Sequence, residues 1–142
     1  MPAGYSGTPL PKKLGIKEGD RVGVSQPPDH LEVLLGGLPI GARLVSLSGK
    51  DLEMVLLFVR TRAELSKGLP RAKKTIAEDG ALWLCWPKKT SPLARDLTGN
   101  IVRESGLASG VVDIKVCAVD EDWSGLKFVY RVADRKRAAK KK

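Results

Sequence analysis

The residues of this chain that could do chemistry stand directly behind its apolar runs. Ser25 and Gln26 close the run Arg21 to Ser25, and Arg60-Thr61-Arg62 follows Leu52 to Val59. Trp86-Pro87-Lys88-Lys89 ends the run Ala81 to Trp86, and Asp120-Glu121-Asp122-Trp123 follows Val111 to Val119. Lysine and arginine behind a strand can hold a phosphate or carboxylate. Tryptophan and arginine are enriched at recognition surfaces. These types therefore point to binding of an anionic group or a partner. They point less to catalysis. His30 is the only histidine, and no Ser-His-Asp set can be read around it. No paired-carboxylate site and no metal-ligand cluster is legible. Cys85 and Cys117 lack the spacing of a zinc or redox site and sit in apolar runs, so two buried thiols are expected.

Composition narrows the class. A chain of 142 residues with 42% apolar and 29% charged residues is expected to fold as one globular domain. No apolar run approaches the roughly 20 residues that span a bilayer. The start, Met1-Pro2-Ala3-Gly4-Tyr5, does not read as a signal peptide, so the expected location is the cytoplasm. The net charge is +9, but it is uneven. Six of the 25 basic residues lie in Arg135 to Lys142 with no acidic one, leaving 19 basic against 16 acidic residues elsewhere. The division is thus a single domain over 1–134 and a basic, disordered tail over 135–142. Such a tail could touch nucleic acid weakly and in a salt-dependent way.

The elements that position these residues follow from pattern. Thr8 to Gly15 reads as a short helix capped by Thr8, with Pro9 in its first turn and Gly15 at its end. Arg21 to Ser25 is a first strand. Asp29 and Glu32 have the spacing of a capping box for a helix with Leu31, Leu34 and Leu35 inward, ended by Gly36-Gly37. Ala42 to Leu47 and Leu52 to Val59 are the second and third strands, the latter apolar enough to be buried on both faces. Thr61 and Glu64 form another capping box. Its helix is expected to break near Gly68-Leu69-Pro70. Asp79-Gly80 reads as a turn before a fourth strand, Ala81 to Trp86. A helix from Asp96 to about Gly106 precedes a fifth strand, Val111 to Val119. A sixth, Leu126 to Val132, closes a hairpin with Leu126, Phe128, Tyr130 and Val132 on one face. Strand–helix alternation of this kind makes a parallel sheet with helices on both sides.

This order resembles a shortened class I methyltransferase fold. The likeness rests on the lead-in Leu14-Gly15-Ile16-Lys17-Glu18-Gly19-Asp20-Arg21-Val22, on Leu52 to Val59 as that fold's fourth strand, and on Ile76 to Leu84 as its fifth. It implies a three-layer, Rossmann-like mixed sheet of about six strands in the order 2-1-3-4-6-5. Strand 6 would be antiparallel, and the full fold's third strand and its helix would be missing. A closer resemblance is to the bacterial family called domain of unknown function (DUF) 3052. It is carried by Tyr5-Ser6-Gly7-Thr8-Pro9-Leu10, Lys12-Lys13-Leu14-Gly15, Trp86-Pro87-Lys88-Lys89 and Trp123 to Val129, and spans residue 4 to about 131. That family brings no activity with it.

The scaffold's usual cofactor equipment is not legible. Methyltransferases and dinucleotide folds hold their cofactor on a glycine-rich turn after strand 1, where the backbone must approach closely and donate N–H groups. Here that place holds Gln26-Pro27-Pro28, and two prolines remove two donors. Strand 2 ends Ser46-Leu47-Ser48, without the acid that would hold a ribose; Asp51 comes too late. No cofactor is expected. A ligand would sit at the carboxyl ends of the strands, near the reversal between strands 1 and 3. The candidate rim is Ser25, Gln26, Arg60, Arg62, Trp86, Lys88, Lys89 and Trp123, with both tryptophans on one rim and the lysines able to pair with Asp120 to Asp122. The reading is a non-catalytic binding or adaptor module for an unknown protein or a small anionic ligand. The alternatives are a divergent S-adenosylmethionine-dependent methyltransferase and a weak nucleic-acid binder acting through the tail.

Overall fold

The computed structural model describes residues 8–47 and 49–134; the basic tail and Tyr5-Ser6-Gly7 lie outside the described residues. Six strands form one sheet in the order β2-β1-β3-β4-β6-β5, as expected. They are β1 Arg21–Ser25, β2 Arg43–Val45, β3 Leu52–Phe58, β4 Ile76–Pro87, β5 Val111–Ala118 and β6 Trp123–Tyr130. β1 pairs in parallel with β2 and β3, and β3 with β4. β6 runs antiparallel to both β4 and β5. The carboxyl ends of the five parallel strands therefore share one edge with the start of β6.

Alternation sorts the central strands into two cores. On β3 and β4, Val55, Leu57, Leu82, Leu84 and Trp86 face one cluster, and Met54, Leu56, Phe58, Trp83 and Cys85 face the other. The first is covered by α3 (Arg62–Thr75) and α4 (Gly99–Ala108). The second is covered by α1 (Leu10–Leu14) and α2 (Leu31–Leu35), which supply Leu10, Leu14, Leu31 and Leu35. Burial on both faces explains the unbroken apolar runs of β3 and β4.

Local chemistry departs from the sequence reading at several places. α3 does not break at Gly68-Leu69-Pro70 but runs continuously through Pro70. One backbone bond is lost there, yet Leu65, Leu69 and Ala72 keep a single buried stripe that holds both halves on the sheet. Asp79-Gly80 is not a turn, because β4 begins at Ile76 and carries a bulge. Ile76 stands opposite Leu52, but Ala81 stands opposite Met54. Gly80 fits this bulge because a Cβ there would lie 2.9 Å from the Leu52 carbonyl oxygen and 3.0 Å from that of Glu53.

Three caps also move. Thr8 does not cap α1, which begins at Leu10 after Pro9 with no side-chain cap bond. Asp29 does not cap α2; His30 holds that position, again without a side-chain bond, so Asp29 and Glu32 form no capping box. α4 starts after Thr98, whose hydroxyl accepts from the Ile101 amide, and not at Asp96. Thr61 does cap α3, with the return bond of the box shifted one residue back. The Glu64 amide donates to Thr61 Oγ1 at 3.1 Å, and the Glu64 carboxylate takes the Arg60 amide at 2.7 Å. Val132 lies in a short 3-10 turn, Val132–Asp134, and is exposed; Leu126 and Phe128 are buried on one face as expected.

Candidate functional site

The β1–α2 turn defines the middle of the carboxyl edge. Ser25 is the last residue of β1, half-buried and paired with Leu57. Gln26 is exposed and adopts φ 55°, a left-handed conformation that glycine adopts without strain. Pro27 and Pro28 follow. The turn after β1 thus has a left-handed residue but no glycine, and its two prolines offer no N–H groups. Beside it lies a groove of about 510 Å³, lined by Val24, Pro27, Leu31 and Leu44 together with Asp29 and Glu32. A carboxylate-lined groove without a cationic or glycine-rich wall is not a phosphate cradle.

The neighbouring strand ends are held by their own side chains. Arg60 is exposed, and its guanidinium carbon lies 5.8 Å from the Trp123 ring centroid, in cation–π range. Arg62 is exposed at the start of α3, and its amide donates to Asp96 Oδ1 at 2.9 Å. With Glu64 bound to Thr61 and Arg60, the first turn of α3 is occupied by internal acceptors. The Lys88 amide donates to the Asp122 carbonyl at 2.8 Å, joining the loop after β4 to the β5–β6 connection. Those two loops share the edge, as the strand order requires. Their link is main-chain: among the described residues no ion pair joins Lys88 or Lys89 to Asp120, Glu121 or Asp122. Lys88 is half-buried and Lys89 exposed.

The tryptophans do not share a rim. Trp86 is 8% exposed and belongs to the α3/α4 core, while Trp123 is 1% exposed and belongs to the α1/α2 core. Trp123 stands opposite Pro87, one residue from Trp86, so the pleat sends the two indoles to opposite faces. Trp123 meets Phe58 edge-on at 5.2 Å between centroids. Both finish the core, and the accessible rim reduces to Gln26, Arg60, Arg62, Lys88 and Lys89, with Ser25 half-buried beneath.

One pair was not legible in the sequence. His30 Nε2 lies 2.9 Å from Asp120 Oδ2, across 90 residues of chain. The other oxygen of Asp120 accepts the amides of Asp122 and Trp123, each at 2.8 Å. The carboxylate therefore closes the β5–β6 turn and ties α2 to it. The only available signal was topological: both residues follow strands that end on this edge. The two cysteines flank Gly125, Cys85 on β4 and Cys117 on β5. Cys85 is buried, and burial followed by the neighbouring Cys117 pushes its thiol far up. Cys117 is half-buried, and burial raises it too, against the lowering pull of Lys13 and Lys115. Neither thiol is poised to react.

The architecture defines a Rossmann-like, methyltransferase-like α/β protein. Its backbone is similar to a TehB-like SAM-dependent methyltransferase from Corynebacterium glutamicum, with TM-score 0.51 and 8% identity over 86% of this chain and 85% of that one. It is likewise similar to a SAM-dependent O-methyltransferase from Thermotoga maritima, with TM-score 0.55 and 9% identity over 86% of this chain and 63% of that one. A protein in the NADB-Rossmann superfamily from Streptococcus agalactiae gives TM-score 0.51 at 10% identity, covering 87% of this chain and 68% of that one. At such identities the likeness is one of fold. The chain belongs to the family described as "Protein of unknown function (DUF3052)", whose model matches residues 39–132. The strings between residues 5 and 15 lie outside that stretch. No curated protein matches the chain. Among the described residues no helix is long and apolar enough to cross a membrane.

S-adenosylmethionine, the cofactor such a fold implies, does not fit the residues present in the usual mode. The turn after β1 has Gln26 and two prolines in place of glycines. The residues that follow β2 include no carboxylate, and Asp51 lies at the amino end of β3, where its carbonyl accepts from Arg21 at 2.8 Å.

Proposed function

We propose that the protein is a non-catalytic binding module on a methyltransferase-like scaffold. Its carboxyl-edge cations, Arg60, Arg62, Lys88 and Lys89, receive an anionic group of a protein partner or small ligand. The observation that carries this reading is the Gln26-Pro27-Pro28 turn, which stands where the cofactor loop would lie and lacks its glycines and N–H donors. The exposed guanidinium groups suit a carboxylate, which arginine can grip with two parallel bonds. The buried tryptophans brace this edge and leave contact to the charged side chains.

A thermal-shift panel tests the reading. S-adenosylmethionine at saturating concentration is expected to leave the melting temperature unchanged, since a ligand that binds only the folded state must raise it. A dicarboxylate is expected to raise it, and the Arg60→Ala, Arg62→Ala, Lys88→Ala triple variant to lose that rise. A clear shift with S-adenosylmethionine overturns the proposal. The divergent-enzyme reading draws on one observation, the His30–Asp120 pair at the crevice, since a carboxylate-held imidazole is acid–base equipment. Under that reading a shift with S-adenosylmethionine is required.

A further inference from the structure

The opposite end of the sheet holds a cavity of about 340 Å³, bounded by Gly15, Lys17, Met54, Gly80, Ile114 and Lys127 among others. Its floor is apolar, with Met54 and Ala81 buried. Lys127 of β6 stands directly opposite Lys115 of β5. Like charges directly opposed on neighbouring strands repel, and nothing in the sheet requires them there. Lys115 turns aside, donating its Nζ to the Lys13 carbonyl at 2.8 Å. The Lys127 ammonium stays over the Trp83 ring, 6.0 Å from its centroid, and 2.9 Å from where a Cβ on Gly15 would lie. Among the described residues, no carboxylate pairs with Lys127 or Lys17.

Three carboxylates, Glu53, Asp20 and Asp79, also line the cavity. Arg21 binds both oxygens of Glu53, at 3.3 and 3.2 Å. Burial alone would push the Glu53 carboxyl up, but those bonds outweigh it and hold it below its usual value. Asp20 takes the Lys17 amide at 2.9 Å, and Asp79 is exposed. Arg21 is thus committed to Glu53, and the cations that line the cavity itself are lysines from separate elements.

We propose that this amino-end cavity is a second ligand site, for a small phosphate-bearing anion held by Lys127 and Lys17, with Lys115 adding to the field. Lysines are point charges that converge on a tetrahedral, many-oxygen anion, whereas a planar carboxylate is better served by a free arginine fork. Gly15 leaves the space in which the Lys127 ammonium rests. The direction of the Lys127 pKa agrees: burial, then Lys115 and Lys17, lower it, as for a cation that lacks its counter-ion.

The test is calorimetric titration of the full chain with inorganic pyrophosphate and, separately, glycerol phosphate, at fixed ionic strength. Saturable binding of either is expected, and the tighter one identifies the inorganic or organic source. Lys127→Met, which keeps most of the stem, is expected to weaken binding by at least about tenfold, as for loss of a charged hydrogen bond. Lys127→Arg is expected to stay within about threefold of the natural chain, since the charge is kept. Circular dichroism confirms that both variants fold. The proposal is overturned if neither anion binds saturably, or if Lys127→Met binds as the natural chain does. The basic tail is common to all these proteins, so it cannot produce the difference.

Discussion

The two ends of the sheet treat charge in opposite ways. At the carboxyl edge, where folds of this type bind ligands, several polar side chains are taken up by internal partners. Asp120 takes two amides and His30, Asp96 takes the Arg62 amide, and Glu64 takes the Arg60 amide. At the amino edge, a half-buried lysine stands over an indole between two other lysines, with no carboxylate paired to it. The carboxyl edge has spent its polar groups on holding loops, so only its outermost cations remain for recognition. The amino edge carries an electrostatic cost that a bound anion would relieve.

Four substitutions would break or sharpen this contrast. The largest effect is expected for Trp83→Ala. Trp83 is fully buried, donates its indole N–H to the Leu14 carbonyl at 2.9 Å and forms the floor under Lys127. Truncation should cost about 3–5 kcal/mol in urea unfolding. Asp120→Ala comes next, because it frees two amides and the imidazole at once. A loss of about 1–3 kcal/mol is expected, and a loss near zero would mean the carboxyl edge is not self-held. His30→Ala should cost less than about 1 kcal/mol, since the His30 side chain is half-exposed and the Asx turn of Asp120 survives.

The smallest effect should have the opposite sign. Lys127→Met is expected to raise stability slightly in anion-free buffer, by removing a partly buried cation from like charges. The pH dependence identifies the cause. The folded chain holds the Lys127 pKa below its ordinary 10.5, so the unfolded chain binds more proton as pH approaches 10.5 from below. Stability gains from this group as pH rises through that window. The advantage of Lys127→Met should therefore be greatest at neutral pH and shrink toward pH 10.5. Parallel melting curves would sink this account of the amino edge.

Much of the candidate edge was readable before folding, but its working surface was not. Arg60, Arg62, Lys88 and Lys89 stand where strand order places them. The tryptophans are the instructive exception. A tryptophan behind a strand looks like a contact residue, yet the alternation that fixes the core also fixes these indoles on opposite faces. Their one-residue stagger across β4 and β6 could not be known without the register. Likewise the apparent Asp29–Glu32 box does not form because α2 starts one residue later, with His30 at its N-cap, and Pro70 sits inside a helix because tertiary burial outweighs one missing bond.

The sequence by itself determined the elements, their order and the loss of the cofactor loop. Apolar period and the Gln26-Pro27-Pro28 turn are local properties of the backbone, and local rules reach them. Tertiary structure alone decided the His30–Asp120 tie, the Gly80 bulge and the opposition of Lys127 to Lys115. Each depends on which elements the packed core brings together and in what register. A partner chosen across a sheet is invisible to any rule that looks only a few residues along the chain.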